Sequence, residues 1–150
     1  MNPFDIARKT RENILKVIDG LSVEQMNLIP KGYTNNMVWH LGHLLATQQL
    51  IVYKLSGTEV LVTDNIIDEF RKGTKPENEY TEEDILELKE MLIQVINHSE
   101  EDFEAGIFGD FSEYPTSYGL VLNSLEEAIM FNNIHEAVHL GMIMSMKKLV

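Results

Sequence analysis

A chain of 150 residues is long enough for one domain that buries most of its apolar surface around a single core, and too short for a second. Apolar residues at 44% and charged residues at 24% are ordinary globular values, which excludes a disordered or fibrous chain. Twelve basic residues against 24 acidic ones leave a net charge of -12, which repels phosphate backbones and anionic lipid, and the absence of cysteine removes disulfides, thiolate metal sites, iron–sulfur clusters and cysteine nucleophiles together.

In chain order, Pro3 suits a first helical position, and Phe4, Ala7, Ile14, Val17 and Ile18 recur at helical spacing until Gly20 stops them. This predicts a first long helix from Phe4 to Ile18. Ser22 with Gln25 three residues on is a capping-box pattern and opens a short helical turn that Pro30 and Gly32 close. From about Asn36 to Leu55 the chain is apolar nearly all round, relieved only by His, Thr, Gln, Tyr and Lys, the pattern of a central buried helix. Gly57 ends this second long helix. The polar stretch "TDNIIDEFRKGTKPENEY" predicts a short helix inside a long connection, which lets the next element run in either direction.

Thr81 with Asp84 is a second capping box, and Ile85, Leu86, Leu88, Met91, Leu92, Val95 and Ile96 carry a third long helix to about Phe103. "GIFGDFSEYPTSYG" predicts a short ribbon or ordered loop over one end of the molecule. Ser124 with Glu127 is a third capping box, opening a fourth long helix to about Lys148. Its basic end, Lys147 and Lys148, complements the helix dipole. Four helices of this length make an all-α chain, a four-helix bundle with a long connection between its second and third helices, in one domain over 1–150. No stretch has the run of about 20 apolar residues that a membrane span needs, and "MNPFDIARKT" has no apolar region for secretion. The expectation is a cytoplasmic protein that binds neither nucleic acid nor membrane.

The chemistry concentrates in histidines. On the fourth helix Ala128, Phe131, His135, His139, Met142, Met146 and Leu149 fall in one stripe, so both histidines face the core one turn apart. An imidazole there needs partners for its ring nitrogens, and two at this spacing can share one metal ion or each find a carbonyl or carboxylate. In "WHLGHL" His40 and His43 share a stripe on the second helix, and one or both can reach the same ion. Three neutral imidazoles suit Zn, Ni or Fe(II) with open positions left over. Trp39 reads as packing and His98 as a solvated residue.

The string from His135 to His139 is also H-E-x-x-H, a metalloprotease pattern. A metzincin needs Gly and His where Met142 and Ser145 stand, and no Asp or Glu follows His139 to act as a distant ligand, so a peptidase is not supported. Glu136 lies about 100° around the helix from His135, better placed to pair with another helix or to support a ligand than to act as a general base. No phosphate-binding glycine loop and no nucleophile-elbow motif occurs.

A histidine within W-x-x-G-H-L early in the second helix, followed about ninety residues later by H-E-x-x-H-x-G in the last, resembles the DinB/YfiT-like family of metalloenzymes. The resemblance implies a four-helix bundle holding a divalent metal, typically nickel or zinc, between one histidine of the second helix and two of the fourth. Here these are His43, His135 and His139, with His40 left as a neighbour or support. Some relatives are S-transferases that activate a low-molecular-weight thiol such as bacillithiol or mycothiol. The chain has no separate C-terminal domain and no evident basic cluster for a thiol cofactor's carboxylates, both of which distinguish it from the defined transferase branches. The expected function is a metal-dependent enzyme acting on a small-molecule substrate, by transfer of a thiol to an electrophile. A metal-dependent hydrolase and a metal- or ligand-binding helical dimer without turnover are the alternatives. A homodimer is expected because the second helix looks too apolar for one bundle to cover.

Overall fold

The structure, a computed structural model, describes residues 1–150. Six α-helices run in the order α1 (Asp5–Ile18), α2 (Val23–Asn27), α3 (Met37–Gln48), α4 (Asp64–Phe70), α5 (Glu82–Ala105) and α6 (Leu125–Met146). One antiparallel ribbon, β1 (Tyr114–Pro115) with β2 (Val121–Leu122), interrupts the connection into α6. The chain is all-α apart from that ribbon. No helix is long and apolar enough to cross a membrane.

The long helices α1, α3, α5 and α6 pack so that α1 and α3 each lie against both α5 and α6. Two apolar clusters fix their directions. Ile14 and Ile18 of α1, Met37 to Ala46 of α3, Ile85 to Val95 of α5, and Ile143 and Met146 of α6 share one cluster. Phe4 and Ala7, Ile51 to Tyr53, Ile96, and Ala128 to Phe131 share the other. Thus α1 and α6 run one way and α3 and α5 the other. Parallel neighbours cannot be joined by a tight turn, so residues 57–81, with α4 among them, travel back along the molecule before α5 begins.

Between the clusters lies a buried polar layer. The Arg11 guanidinium, wholly enclosed, donates from Nε and Nη2 to the Glu136 carboxylate at 2.7–3.2 Å, from Nη1 to the Leu92 carbonyl at 2.8 Å and from Nη2 to Gln48 Oε1 at 3.0 Å. Asn132 Nδ2 donates to Glu136 Oε1 at 2.8 Å, and Gln48 Nε2 to Ser99 Oγ at 2.8 Å. One ion pair thereby ties all four long helices at one level. Its partner atoms answer the desolvation that a lone buried charge would suffer. Arg11 occupies the 4, 7, 11, 14, 18 stripe of α1, where it stands among apolar residues.

Local details depart from expectation in four places. The second long helix is α-helical only to Gln48; Gln49–Tyr53 form a π-helical turn and Lys54–Ser56 a 3₁₀ turn ending at Gly57 in the left-handed region. The capping boxes at Ser22 and Thr81 form in full, whereas Ser124 receives only the Glu127 N–H, because the Glu127 carboxylate reaches one residue further back, to the Asn123 N–H. On α6 the inward stripe is rotated from the predicted one: Glu136 is enclosed, while Met142 and Leu149 are exposed. The reason given for a dimer also changes. Met37, Val38, Leu41, Leu44 and Leu45 of α3 are fully covered within the one chain, each burial worth roughly 1.5–3 kcal/mol. The uncovered apolar row lies instead on α6, at Met130, Ile134, Val138 and Met142, one turn apart.

Candidate metal centre

The site begins at Asn36, whose side chain accepts from the Trp39 N–H at 2.8 Å and starts α3 at a defined phase. That phase turns His40 and His43 toward α6. Gly42 lies against the ring of Phe70 at the end of α4, and a Cβ there would stand 2.3 Å from that ring. Only glycine therefore lets α4 settle on α3. The close approach brings the Phe70 carbonyl, at the α4 terminus, to 2.7 Å from His43 Nδ1. Nδ1 must carry the proton for that bond, which leaves Nε2 unprotonated, with the Thr47 hydroxyl 3.3 Å away as its donor. Trp39 stacks on the other side of His43, with centroids 4.4 Å apart and planes at 13°, and its own Nε1–H is held by Thr74 Oγ1 at 2.9 Å. Trp39, expected only to pack, thus also clamps the His43 ring.

From α6, His135 and His139 meet His43. The three ring centroids are 4.4 Å, 4.9 Å and 5.1 Å apart, a nearly equilateral triangle. One ring nitrogen of each lies within 4.8 Å of the other two. Metal–nitrogen bonds of about 2.0–2.1 Å in tetrahedral geometry set neighbouring nitrogens roughly 3.4 Å apart. The Nε2 atoms of His135 and His139 are already 3.1 Å apart. His40 is the fourth member, its Nδ1 2.7 Å from His139 Nδ1, so one of these rings donates to the other. His40 Nε2 and His135 Nδ1 are buried without a partner. His98 lies elsewhere, solvent-exposed, 3.8 Å from Asp102.

The surroundings keep these rings neutral. Burial pushes the His40 imidazole down to about 4, with repulsion from His43 adding to it. Burial also lowers His43, against the opposing effect of its bond to the Phe70 carbonyl. Removal from water, reinforced by the neighbouring imidazoles, takes His135 to about 3 and His139 to about 2. No carboxylate is hydrogen-bonded to any of the four. Glu136, the one acid in the motif, spends both oxygens on Arg11 and Asn132. Neutral imidazoles, one with its tautomer set by a backbone carbonyl, are the donors that Zn or Ni takes, so this donor set fits a divalent ion.

His43 and His135 also line a cavity of about 320 Å³. Leu50, Ile51 and Leu55 of the π and 3₁₀ turns, Phe131 of α6, and Tyr114 and Tyr118 of the ribbon form much of its wall. Lys54 and Lys72, which no sequence pattern links, meet at the same cavity. Arg11 was also missed by sequence reasoning, although its place on the α1 stripe signals a buried charge in want of an acid.

Comparison with known proteins adds a family. The sequence pattern described as the DinB superfamily matches residues 6–143, which takes in α3 and α5 whole, nearly all of α1 and α6, and every histidine of the site. No curated protein matches the chain. With its match spanning nearly the whole length and three histidines grouped where a metal ion could be held, the chain belongs to the DinB superfamily.

Proposed function

We propose that this protein is a metal-dependent enzyme whose four long helices act as a bundle around one divalent ion, Zn or Ni, held by His43, His135 and His139. The observation that carries the reading is the triangle of neutral imidazoles, two of which, His43 and His135, line a cavity large enough for a small molecule. When bound, such an ion supplies a Lewis acid that lowers the pKa of a ligand thiol or water and so makes a nucleophile near neutral pH.

The chain's residues divide the remaining work. The Phe70 carbonyl and the Trp39 ring hold His43 so that Nε2 faces the site. If His139 offers Nε2 to the ion, the proton of that ring stays on Nδ1, which then donates to His40 Nδ1, 2.7 Å away. Leu50, Ile51, Leu55 and Phe131 exclude water from one side of the cavity. Glu136 holds helices together and takes no part in proton transfer.

Transfer of a low-molecular-weight thiol to a small electrophile is favoured over hydrolysis by one feature: no Asp or Glu lines the cavity to deprotonate water. A thiol loses its proton to solvent far more readily, and soft sulfur is a strong ligand for Zn or Ni. The test is conjugation of a panel of thiols, bacillithiol among them, to chlorodinitrobenzene. The rate should depend on the metal and vanish in His139→Ala; equal rates with and without metal for every thiol would reject transfer. A homodimer, formed through the exposed apolar row of α6, belongs to the same proposal.

A further inference from the structure

The 13 residues lining the cavity beside His43 and His135 include two lysines and no acid. That composition runs against the rest of the chain, where acids outnumber bases 24 to 12. Other surface hollows follow the general balance: the groove beside Trp39 carries Asp68, Glu69 and Glu77, and the one beside Phe70 carries Glu79, Asp84 and Glu87. Lys54 and Lys72 make no ion pair with any carboxylate; several other lysines are unpaired too, and what sets these two apart is that both line one acid-free wall. Lys54 comes from the 3₁₀ turn that ends just before the crossover, and Lys72 from within the crossover, in the turn after α4. Both are exposed, so they stand on the solvent side, with the histidines at the buried side and apolar wall between.

A protein of net charge -12 repels anions at long range, and a site for an anion on it needs a local reversal of sign. Two unpaired ammonium groups in a wall free of carboxylates supply that reversal. We propose that the substrate of this cavity is a small organic anion: its acidic group rests against Lys54 and Lys72, its apolar body lies along Leu50, Leu55 and Phe131, and its donor atom points to the histidines. The last element rests on the metal reading above; the recognition of the acid does not.

The test loads the protein with Co(II) and titrates it with 4-mercaptobenzoate and with 4-mercaptobenzamide, followed by the sulfur-to-cobalt absorption band. The acid should bind about fivefold tighter than the amide at low salt, as one exposed ion-pair interaction allows. That preference should shrink as salt is added. In Lys54→Met/Lys72→Met it should disappear, with the amide's Kd unchanged. An acid preference of the same size in wild type and double variant overturns the proposal, as does none in wild type.

If cobalt is not taken up, or neither thiol gives a sulfur band, the metal reading has failed instead. The lysines are then judged on the metal-free protein through Trp39, the sole tryptophan, which stacks on His43 at the cavity wall. Stronger fluorescence quenching by 4-nitrobenzoate than by 4-nitrobenzamide, lost in the double variant, upholds the anion site; equal quenching by the two overturns it.

Discussion

Replacing Glu136 with alanine should make the chain easier to unfold while leaving its histidine site able to take metal. The carboxylate accepts from Arg11 Nε and Nη2 and from Asn132 Nδ2, all inside the core. Its loss leaves the enclosed guanidinium with only the neutral oxygens of Gln48 and Leu92. Breaking one side of a buried pair costs about 3–5 kcal/mol. For a chain of this size that corresponds to a fall in Tm of roughly 10–15 °C.

The double variant Arg11→Met/Glu136→Leu strands Gln48 Oε1 and Asn132 Nδ2, but Arg11→Met alone already strands the first and Glu136→Leu alone the second. Relative to either single variant it adds one neutral group at about 1–3 kcal/mol and removes a lone buried charge at about 3–5 kcal/mol. It should therefore be no less stable than either single variant, with a coupling of at least about 2 kcal/mol in the cycle. Urea unfolding gives these energies, and elemental analysis of each folded variant gives the metal. Additive single effects would refute the buried pair. A Glu136→Ala protein of unchanged stability that had lost its metal would instead make Glu136 part of the site.

Three further outcomes follow from the geometry. Metal affinity should fall most in His43→Ala and about 10–100-fold in Gly42→Ala, whose Cβ would drive Phe70 and its carbonyl away from His43; a larger loss in His40→Ala than in His43→Ala, by competition with a chelating dye, would reverse the assignment of ligand and support. Without metal, the four histidines are held below their ordinary 6.5, so from pH 6.5 downward the unfolded chain binds protons that the folded one refuses, and stability should fall by up to roughly 1.4 kcal/mol per pH unit for each histidine. Between pH 6.5 and 5 the depressed carboxylates Glu12, Glu24 and Asp84 are ionised in both states and contribute little, so a flat urea midpoint across that window in EDTA would contradict the neutral cluster. Light scattering at micromolar concentration should give twice the 17.2 kDa chain mass and revert to the monomer in Ile134→Glu; a monomeric wild type would remove the dimer.

Much of this was legible in the residues, and the omissions have physical causes. Ser22 and Thr81 announce their helices because a cap acts within four residues. His135 and His139 announce a pair because one helical turn brings them together whatever else packs nearby. α6 is apolar on nearly every side, so its periodicity carries little phase information; Met142 was therefore placed inside although it faces out, and Glu136 is the residue enclosed. The π turn at Gln49–Tyr53 has no local marker. The carbonyl that orients His43 comes from Phe70 on another helix, and Lys54 meets Lys72 only because the crossover carries α4 back along α3. The choice of His43 over His40 came from family resemblance alone. In the structure His43 has Nδ1 satisfied by a carbonyl, whereas His40 turns its Nδ1 to His139.

The central claim is that His43, His135 and His139 hold one divalent ion. Elemental analysis of the protein purified without a histidine tag, beside His135→Ala and His139→Ala prepared in the same way, tests it most directly. About one zinc or nickel per chain in the wild type, and almost none in either variant, is the expected result. Full metal occupancy in both variants, or a wild type without divalent metal even after incubation with zinc or nickel, would contradict it.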